Sequence, residues 1–227
     1  MARPKLIGGM AVVLIFVLLL GMEWIHEQFY LGLSVLIMGV TFVPFFIRFE
    51  RRKLKGRELV ILAVLGSVAA ISRLPFSMLP SVQPTTFVII TTGAVFGGES
   101  GFVVGSLAAL VSNLFLGEGP WTPWQMYAWG MIGGLSGLLS SFKWFQTTLG
   151  RCFFGLLSGY LFGWMMNLWE VISLHMTDWK ALLALYGSSF YFDTAHAVSN
   201  VLFLALFSKS WVKTLVRFKK KYGLLER

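Results

Sequence analysis

Two acidic residues and a histidine give this apolar sequence its clearest potential for proton chemistry. In YFDTAHAVSN, Asp193 and His196 lie three residues apart, a spacing that puts both on one face of a helix. Such a pair can share a hydrogen bond or relay a proton. Together with Glu170, the pair gives the hypothesis of a membrane enzyme acting on a lipid or a vitamin intermediate. A satisfied polar contact between helices is the favoured interpretation of the same spacing.

The sequence has no nucleophile motif to accompany this pair. GESG, residues 98–101, lacks the GxSxG spacing of a hydrolase elbow, and Glu99 and Ser100 are expected in a tight cytoplasmic turn. GxxxxGK[ST] is also absent from the sequence, so the chain does not hydrolyse ATP through a P-loop.

A second set of polar and aromatic residues lies in GEGPWTPWQMYAWG, residues 117–130, where one apolar run ends and the next begins. An aromatic belt at a membrane interface explains part of this composition. It does not explain Gln125, Asn113 or Glu118, nor two prolines, of which Pro123 can start a helix. Polar side chains at membrane depth usually face a bundle interior or a water-filled cavity. We expect the same of Gln83, Asn167, Glu170, Tyr191, Asp193, His196 and Asn200.

The composition indicates a protein of the bilayer. Mean hydropathy is +0.74, hydrophobic residues make up 56% and charged residues only 13%. The net charge of +9 comes from short basic runs between apolar segments, which is typical of cytoplasmic loops and not of a nucleic-acid-binding surface. A lone cysteine, Cys152, excludes an internal disulfide, and no Cys/His spacing predicts a metal site.

The apolar runs predict about eight membrane-spanning helices, because isolated strands cannot satisfy their backbone groups in lipid. The expected spans are 6–25, 29–48, 58–73, 84–97, 101–117, 124–142, 151–170 and 184–208. With both termini cytoplasmic, nearly every Lys and Arg falls on the inner side, and Arg73 and Lys180 are the exceptions. The predicted fold class is therefore an all-α membrane protein.

The basic run RFERRKLKGRE divides the chain. We expect an N-terminal transmembrane hairpin over 1–50, a basic cytoplasmic linker over 51–57, a six-helix core over 58–210 and a basic cytoplasmic tail over 211–227. Small residues at close spacing let helices approach one another. Gly101 and Gly105 are expected to pack within the chain, while on the first core helix a docking surface for another membrane protein competes with such packing.

The core resembles the substrate-binding S-components of energy-coupling-factor (ECF) vitamin transporters, closest to members associated with cobalamin or its precursors. The resemblance covers roughly residues 58–210, and SNLFLGEGPWTPWQM is its most specific part. It implies a six-helix protein of the bacterial cytoplasmic membrane that captures a vitamin at the outer side. It implies no catalytic residues, no metal and no permanently bound cofactor, and the N-terminal hairpin is additional to the family's six helices.

The resemblance also implies partners and roles for residues. S-components dock on a transmembrane coupling subunit that carries two cytoplasmic ABC-type ATPases, and transport is thought to involve toppling of the whole S-component. Small residues of the first core helix contact the coupling subunit; here these are Ala63, Gly66, Ser67 and Ala70. The loop over 74–84 would cover the pocket. By position, the resemblance nominates ten substrate-binding residues: Gln83, Thr86, Asn113, Trp121, Trp124, Gln125, Trp129, Asn167, Tyr191 and Asp193.

Several ligands fit these residue types. A corrinoid such as cobalamin is large, flat and fringed with amides, so broad aromatic contact with Gln and Asn groups suits it. A narrower pocket with the same residue types would suit a smaller ligand. Candidates are the nucleoside precursor of cobalamin's lower ligand, riboflavin or another small vitamin. For a corrinoid, His196 or His175 is a candidate cobalt ligand. An assembly factor whose N-terminal hairpin binds a partner is a further alternative.

Overall fold

Six helices make up the part of the chain that the structure, a computed structural model, describes, residues 56–224. The predicted N-terminal hairpin and nearly all of the basic linker lie outside these residues. The described part is helical without strands, which confirms the predicted all-helical core. The helices are α1 (Gly56–Arg73), which continues into a 3-10 turn (Leu74–Phe76), α2 (Thr85–Phe96), α3 (Gly98–Leu116), α4 (Thr122–Leu139), α5 (Thr148–Ser173) and α6 (Trp179–Tyr222).

Three of these helical stretches are long and apolar enough to cross a membrane, namely Gly56–Phe76, Gly98–Leu116 and Trp179–Tyr222. Helix α2 is apolar but has only 12 residues, fewer than the roughly 17 needed for a full crossing. The helices are thus consistent with a membrane protein. The count of eight spans and the cytoplasmic position of both termini stay predictions.

Glycines set two of the helix boundaries. Gly97 (φ 95°) separates α2 from α3, and Gly117 (φ 113°) ends α3; both lie in a region of φ that side chains disfavour. Because Gly97 alone makes the reversal, Glu99 and Ser100 lie in the first turn of α3 and not in the turn that was expected. Pro123 lies in the first turn of α4, as predicted.

The last helix is longer than its predicted span of 184–208. With 44 residues, α6 is about 66 Å long, which exceeds the roughly 45 Å of a bilayer with its headgroups. No helix boundary lies at residue 210, because apolar side chains beyond it, such as Leu215, still pack into the core. The helix ends at Gly223, whose left-handed conformation (φ 53°) directs its N–H to the carbonyl of Lys219.

Close backbone contacts at glycines join α3 to α4. A Cβ atom at Gly101 would overlap the carbonyl of Gly133, and one at Gly105 would overlap the backbone of Trp129. The prediction that Gly101 and Gly105 pack within the chain is therefore confirmed. A similar approach joins α5 to α6, where a Cβ atom at Gly159 would overlap the backbone of Ala197. These contacts hold α3 against α4 and α5 against α6.

Gly105→Ala should lower the free energy of unfolding by about 1–3 kcal/mol, because the added methyl group has no space between α3 and α4. Gly187→Ala is the matched control, since a Cβ at this position of α6 has no neighbour within 4 Å. Thermal unfolding of the detergent-purified variants measures the difference. Equal stabilities for the two variants would refute the close α3–α4 contact.

Candidate functional site

Asn113, near the end of α3, is the centre of a buried polar cluster. Its Oδ1 accepts a hydrogen bond of 2.8 Å from Nη1 of Arg73, the last residue of α1. Its Nδ2 donates to Thr122 Oγ1 at 2.9 Å and to Gln125 Oε1 at 2.8 Å, both in the first turn of α4. A single carboxamide thus uses its acceptor and both donors to connect the adjoining ends of three helices.

A second chain of hydrogen bonds starts at Trp129, one turn further along α4. Its Nε1–H donates to Thr86 Oγ1 at 3.1 Å, and Thr86 Oγ1 lies 2.9 Å from His196 Nε2. An indole N–H can only donate, so the Thr86 hydroxyl accepts from Trp129, while the direction of its bond to His196 depends on the tautomer of the imidazole ring. All three side chains are buried. This chain connects α4, α2 and α6.

Ring contacts join the two sets of hydrogen bonds. The guanidinium carbon of Arg73 lies 5.1 Å from the centre of the Trp129 ring system, within the range of a cation–π interaction. Phe162 of α5 packs on Trp129 with ring centres 4.6 Å apart and contacts the edge of His196 at 5.1 Å. Every described helix therefore contributes a side chain. We call this group the Arg73 cluster; it consists of Arg73, Thr86, Asn113, Gln125, Trp129, Phe162 and His196.

The Arg73 cluster contains a cation with neutral partners. Nη1 of Arg73 donates to Ser112 Oγ at 2.9 Å as well as to Asn113, and the Trp129 ring covers one side of the guanidinium. Between residues 56 and 224, Arg73 forms no ion pair. Since a half-buried charge is costly without an opposite charge, the position favours a ligand with an acidic or strongly hydrogen-bond-accepting group.

Sequence reasoning did not nominate Arg73, Ser112, Thr122 or Phe162. For Arg73 a signal was available, because in the predicted topology it is one of two basic residues outside the cytoplasmic side. Ser112, Thr122 and Phe162 had no comparable signal, since their residue types are common in membrane helices.

Asn167 and Asp193, two nominated residues, form a separate contact between α5 and α6. Asn167 Nδ2 donates to Ser189 Oγ at 2.7 Å, and the Ser189 hydroxyl is 3.3 Å from Asp193 Oδ2. In the described residues no hydrogen bond joins Asp193 to His196, which bonds to Thr86 instead. Of the two interpretations of this spacing, the direct Asp193–His196 hydrogen bond is thus not present in the described residues. Asp193 accepts from Ser189 one turn earlier on the same helix, whereas His196 bonds to Thr86 of α2.

Buried polar atoms without a partner lie at the same end of the bundle. Among the described residues, these include Gln83 Oε1 before the start of α2, Trp124 Nε1 in the first turn of α4 and Trp169 Nε1 near the end of α5. Trp121 contacts Trp169 edge to face, with ring centres 6.0 Å apart. Ser173 Oγ is also unpaired near this end, and Asn200 Oδ1 and Trp211 Nε1 are unpaired elsewhere in the described residues. Because buried donors and acceptors are normally paired, the atoms at this end are available to bond a ligand or water.

The remaining nominated residues divide between the core and the surface. Tyr191 is 70% exposed and lies outside these contacts. On α1, Gly66 is buried against Leu107 of α3 and Ala70 is also buried. Both are thus unavailable to a partner, whereas Ala63 and Ser67 lie on the exposed face. His175 is exposed, and the described residues include no group of metal-binding side chains.

Thr86→Val should lower the free energy of unfolding by about 2–4 kcal/mol, because it leaves the buried Trp129 Nε1 and His196 Nε2 without their partner. Thr92→Val is the control on the same helix, since that buried hydroxyl bonds only to the carbonyl of Val88 one turn earlier. Chemical denaturation followed by circular dichroism compares the two. A loss for Thr92→Val as large as for Thr86→Val would contradict the assigned role of Thr86.

No protein-family model, curated protein or solved structure matches this chain.

Proposed function

We propose that this chain is the substrate-binding S-component of an ECF-type importer, capturing a vitamin at the outer side of the bacterial cytoplasmic membrane. The observation that carries the proposal is the group of buried, unpaired polar atoms of Gln83, Trp124 and Trp169 beside the Arg73 cluster. Groups that hydrogen-bond a ligand remain unpaired when the ligand is absent. The resemblance of residues 58–210 supplies the transporter class.

Cobalamin or another corrinoid is the leading ligand. Two indole N–H groups and one amide oxygen can bond to the amide fringe of such a molecule, while aromatic faces such as Trp121 cover its flat ring. Cobalamin also carries a phosphodiester that suits the guanidinium of Arg73. The nucleoside precursor and riboflavin use the same chemistry in a smaller site, and are the alternatives.

ATP-driven uptake requires partners, since the sequence contains no P-loop. The exposed face of α1 is our candidate contact with a transmembrane coupling subunit that carries two ABC ATPases. It combines the small residues Ala63 and Ser67 with the exposed apolar residues Val60, Val64 and Ile71. Small residues on an apolar face let a second helix approach closely in lipid.

A membrane enzyme that uses Asp193 and His196 is less favoured. The two side chains bond to different partners on different helices, Ser189 and Thr86, so neither is aligned to move a proton to the other.

The first test is a thermal-shift panel on the detergent-purified full chain with cobalamin, cobinamide, the lower-ligand nucleoside, riboflavin, thiamin and pyridoxine. We expect cobalamin to raise the Tm, because a ligand that binds only the folded state stabilises it. A response to the nucleoside or riboflavin alone would transfer the proposal to that ligand. No response to any compound would refute vitamin binding.

Trp124→Phe should weaken binding of the vitamin about three- to tenfold, since it removes the unpaired Nε1–H but keeps an aromatic ring. Trp144→Phe is the matched control, because Trp144 is exposed in the connection between α4 and α5 at the other end of the bundle. Calorimetric titration gives both affinities. Equal affinities for Trp124→Phe and the unaltered chain would exclude Trp124 from the site.

Ala63→Trp should abolish copurification with the coupling subunit while vitamin affinity stays unchanged, because the large ring would separate the two helices. Ala205→Trp makes the same change at an exposed alanine of α6. Affinity purification of the coexpressed complex measures partner recovery. Retention of the coupling subunit by Ala63→Trp would show that this face of α1 is not the contact.

A further inference from the structure

A cavity of about 440 Å³ lies at the end of the bundle opposite the Arg73 cluster. It is formed where α2 and α4 end and α5 begins, and the second half of α6 closes it. Its polar lining comes from Ser140, Gln146, Arg151, Lys219 and Lys220. The volume falls within the range of roughly 300–1,000 Å³ that is usual for small-molecule sites.

The charges that line this cavity are all positive. Arg151, Lys219 and Lys220 supply three cations, and the lining contains no acidic side chain. The acidic residues at this end of the described chain are Glu58 and Glu99, in the first turns of α1 and α3. The basic side chains of the lining suit an anionic ligand, and Arg151 and Lys220 are the two on which the argument below depends.

Arg151 is held in place as a binding residue would be. It is only 6% exposed, its Nε donates to Ser208 Oγ at 3.1 Å, and its Nη1 donates to the carbonyl of Gln146 at 2.8 Å. Arg151 is also one of the residues that line the cavity. Its planar set of donors matches the oxygens of a phosphate or carboxylate group.

Two further features favour phosphate. Helix α5 begins between Gln146 and Arg151, so the positive end of a 26-residue helix lies beside the cavity. Lys219 donates from Nζ to the carbonyl of Val95 at 2.7 Å, which holds its ammonium group at the wall between α2 and α6. Apolar side chains, among them Val95, Val212 and Val216, form the rest of the lining.

We propose that this cavity binds the phosphate of an anionic ligand, either the headgroup of an acidic phospholipid or free phosphate. Basic pockets between transmembrane helices on the cytoplasmic side bind phospholipid headgroups by the same chemistry. The site is independent of the vitamin site, because the two lie at opposite ends of the bundle.

The test measures the Tm of the full chain in neutral detergent during titration with phosphatidylglycerol, phosphatidylcholine or inorganic phosphate. We expect phosphatidylglycerol to raise the Tm and phosphatidylcholine to leave it unchanged. A rise with inorganic phosphate as well identifies free phosphate as a ligand, whereas a rise with phosphatidylglycerol alone identifies the lipid headgroup. The proposal is overturned if neither phosphatidylglycerol nor inorganic phosphate raises the Tm. It is also overturned if phosphatidylcholine raises the Tm as much as phosphatidylglycerol does.

Matched lysine variants localise the effect. Lys220→Gln removes a cation at the cavity and should weaken the apparent affinity about fivefold. Lys213→Gln removes an exposed cation of the same helix outside the cavity lining and should keep the affinity of the unaltered chain. An equal loss in both variants would show general attraction to a basic surface and would overturn the site. Lys220 is exposed and forms no side-chain hydrogen bond with another residue of the described range 56–224, so its variant stays informative if Arg151→Gln fails to fold.

Discussion

The hydrogen bonds of Asn113 are the interaction on which the candidate vitamin site depends. This side chain is 1% exposed, so any donor or acceptor left unpaired there would be costly in the interior. Its three hydrogen bonds fix the end of α1 through Arg73 and the start of α4 through Thr122 and Gln125. The position of Arg73 over the Trp129 ring follows, and through Trp129 so does the contact with Thr86 and His196.

The close glycine contacts make this arrangement possible. Because α3 and α4 touch backbone to backbone at Gly101, Gly105 and Gly133, the carboxamide of Asn113 can reach the first turn of α4. In lipid, apolar side chains gain little by leaving the solvent, so close packing and buried hydrogen bonds must hold helices together. In this protein the glycine contacts provide the close packing, and the Arg73 cluster provides the buried hydrogen bonds.

The sequence predicted the helices well, since six apolar runs of the described part correspond to six helices. The helix ends were less predictable. Helix α6 continues past its expected end at residue 208, because side chains beyond that point, such as Leu215, are buried in the core. Thr86, Asn113, Gln125 and Trp129 were nominated and lie together. The hydrogen bond of His196 to Thr86 could not be predicted, because spacing along one helix does not reveal which side chains a neighbouring helix presents. Arg73 was missed although its place outside the cytoplasmic side in the predicted topology was a signal.

Amide hydrogen exchange of the full chain with and without cobalamin tests the central claim most directly, because it locates the ligand without altering a residue. We predict that cobalamin slows exchange in peptides covering residues 74–86 and 117–130, which carry Gln83, Thr86, Trp124 and Gln125. Unchanged exchange throughout, or slowing confined to residues 140–147 and 209–222 at the opposite end, would contradict a vitamin site at the Arg73 cluster.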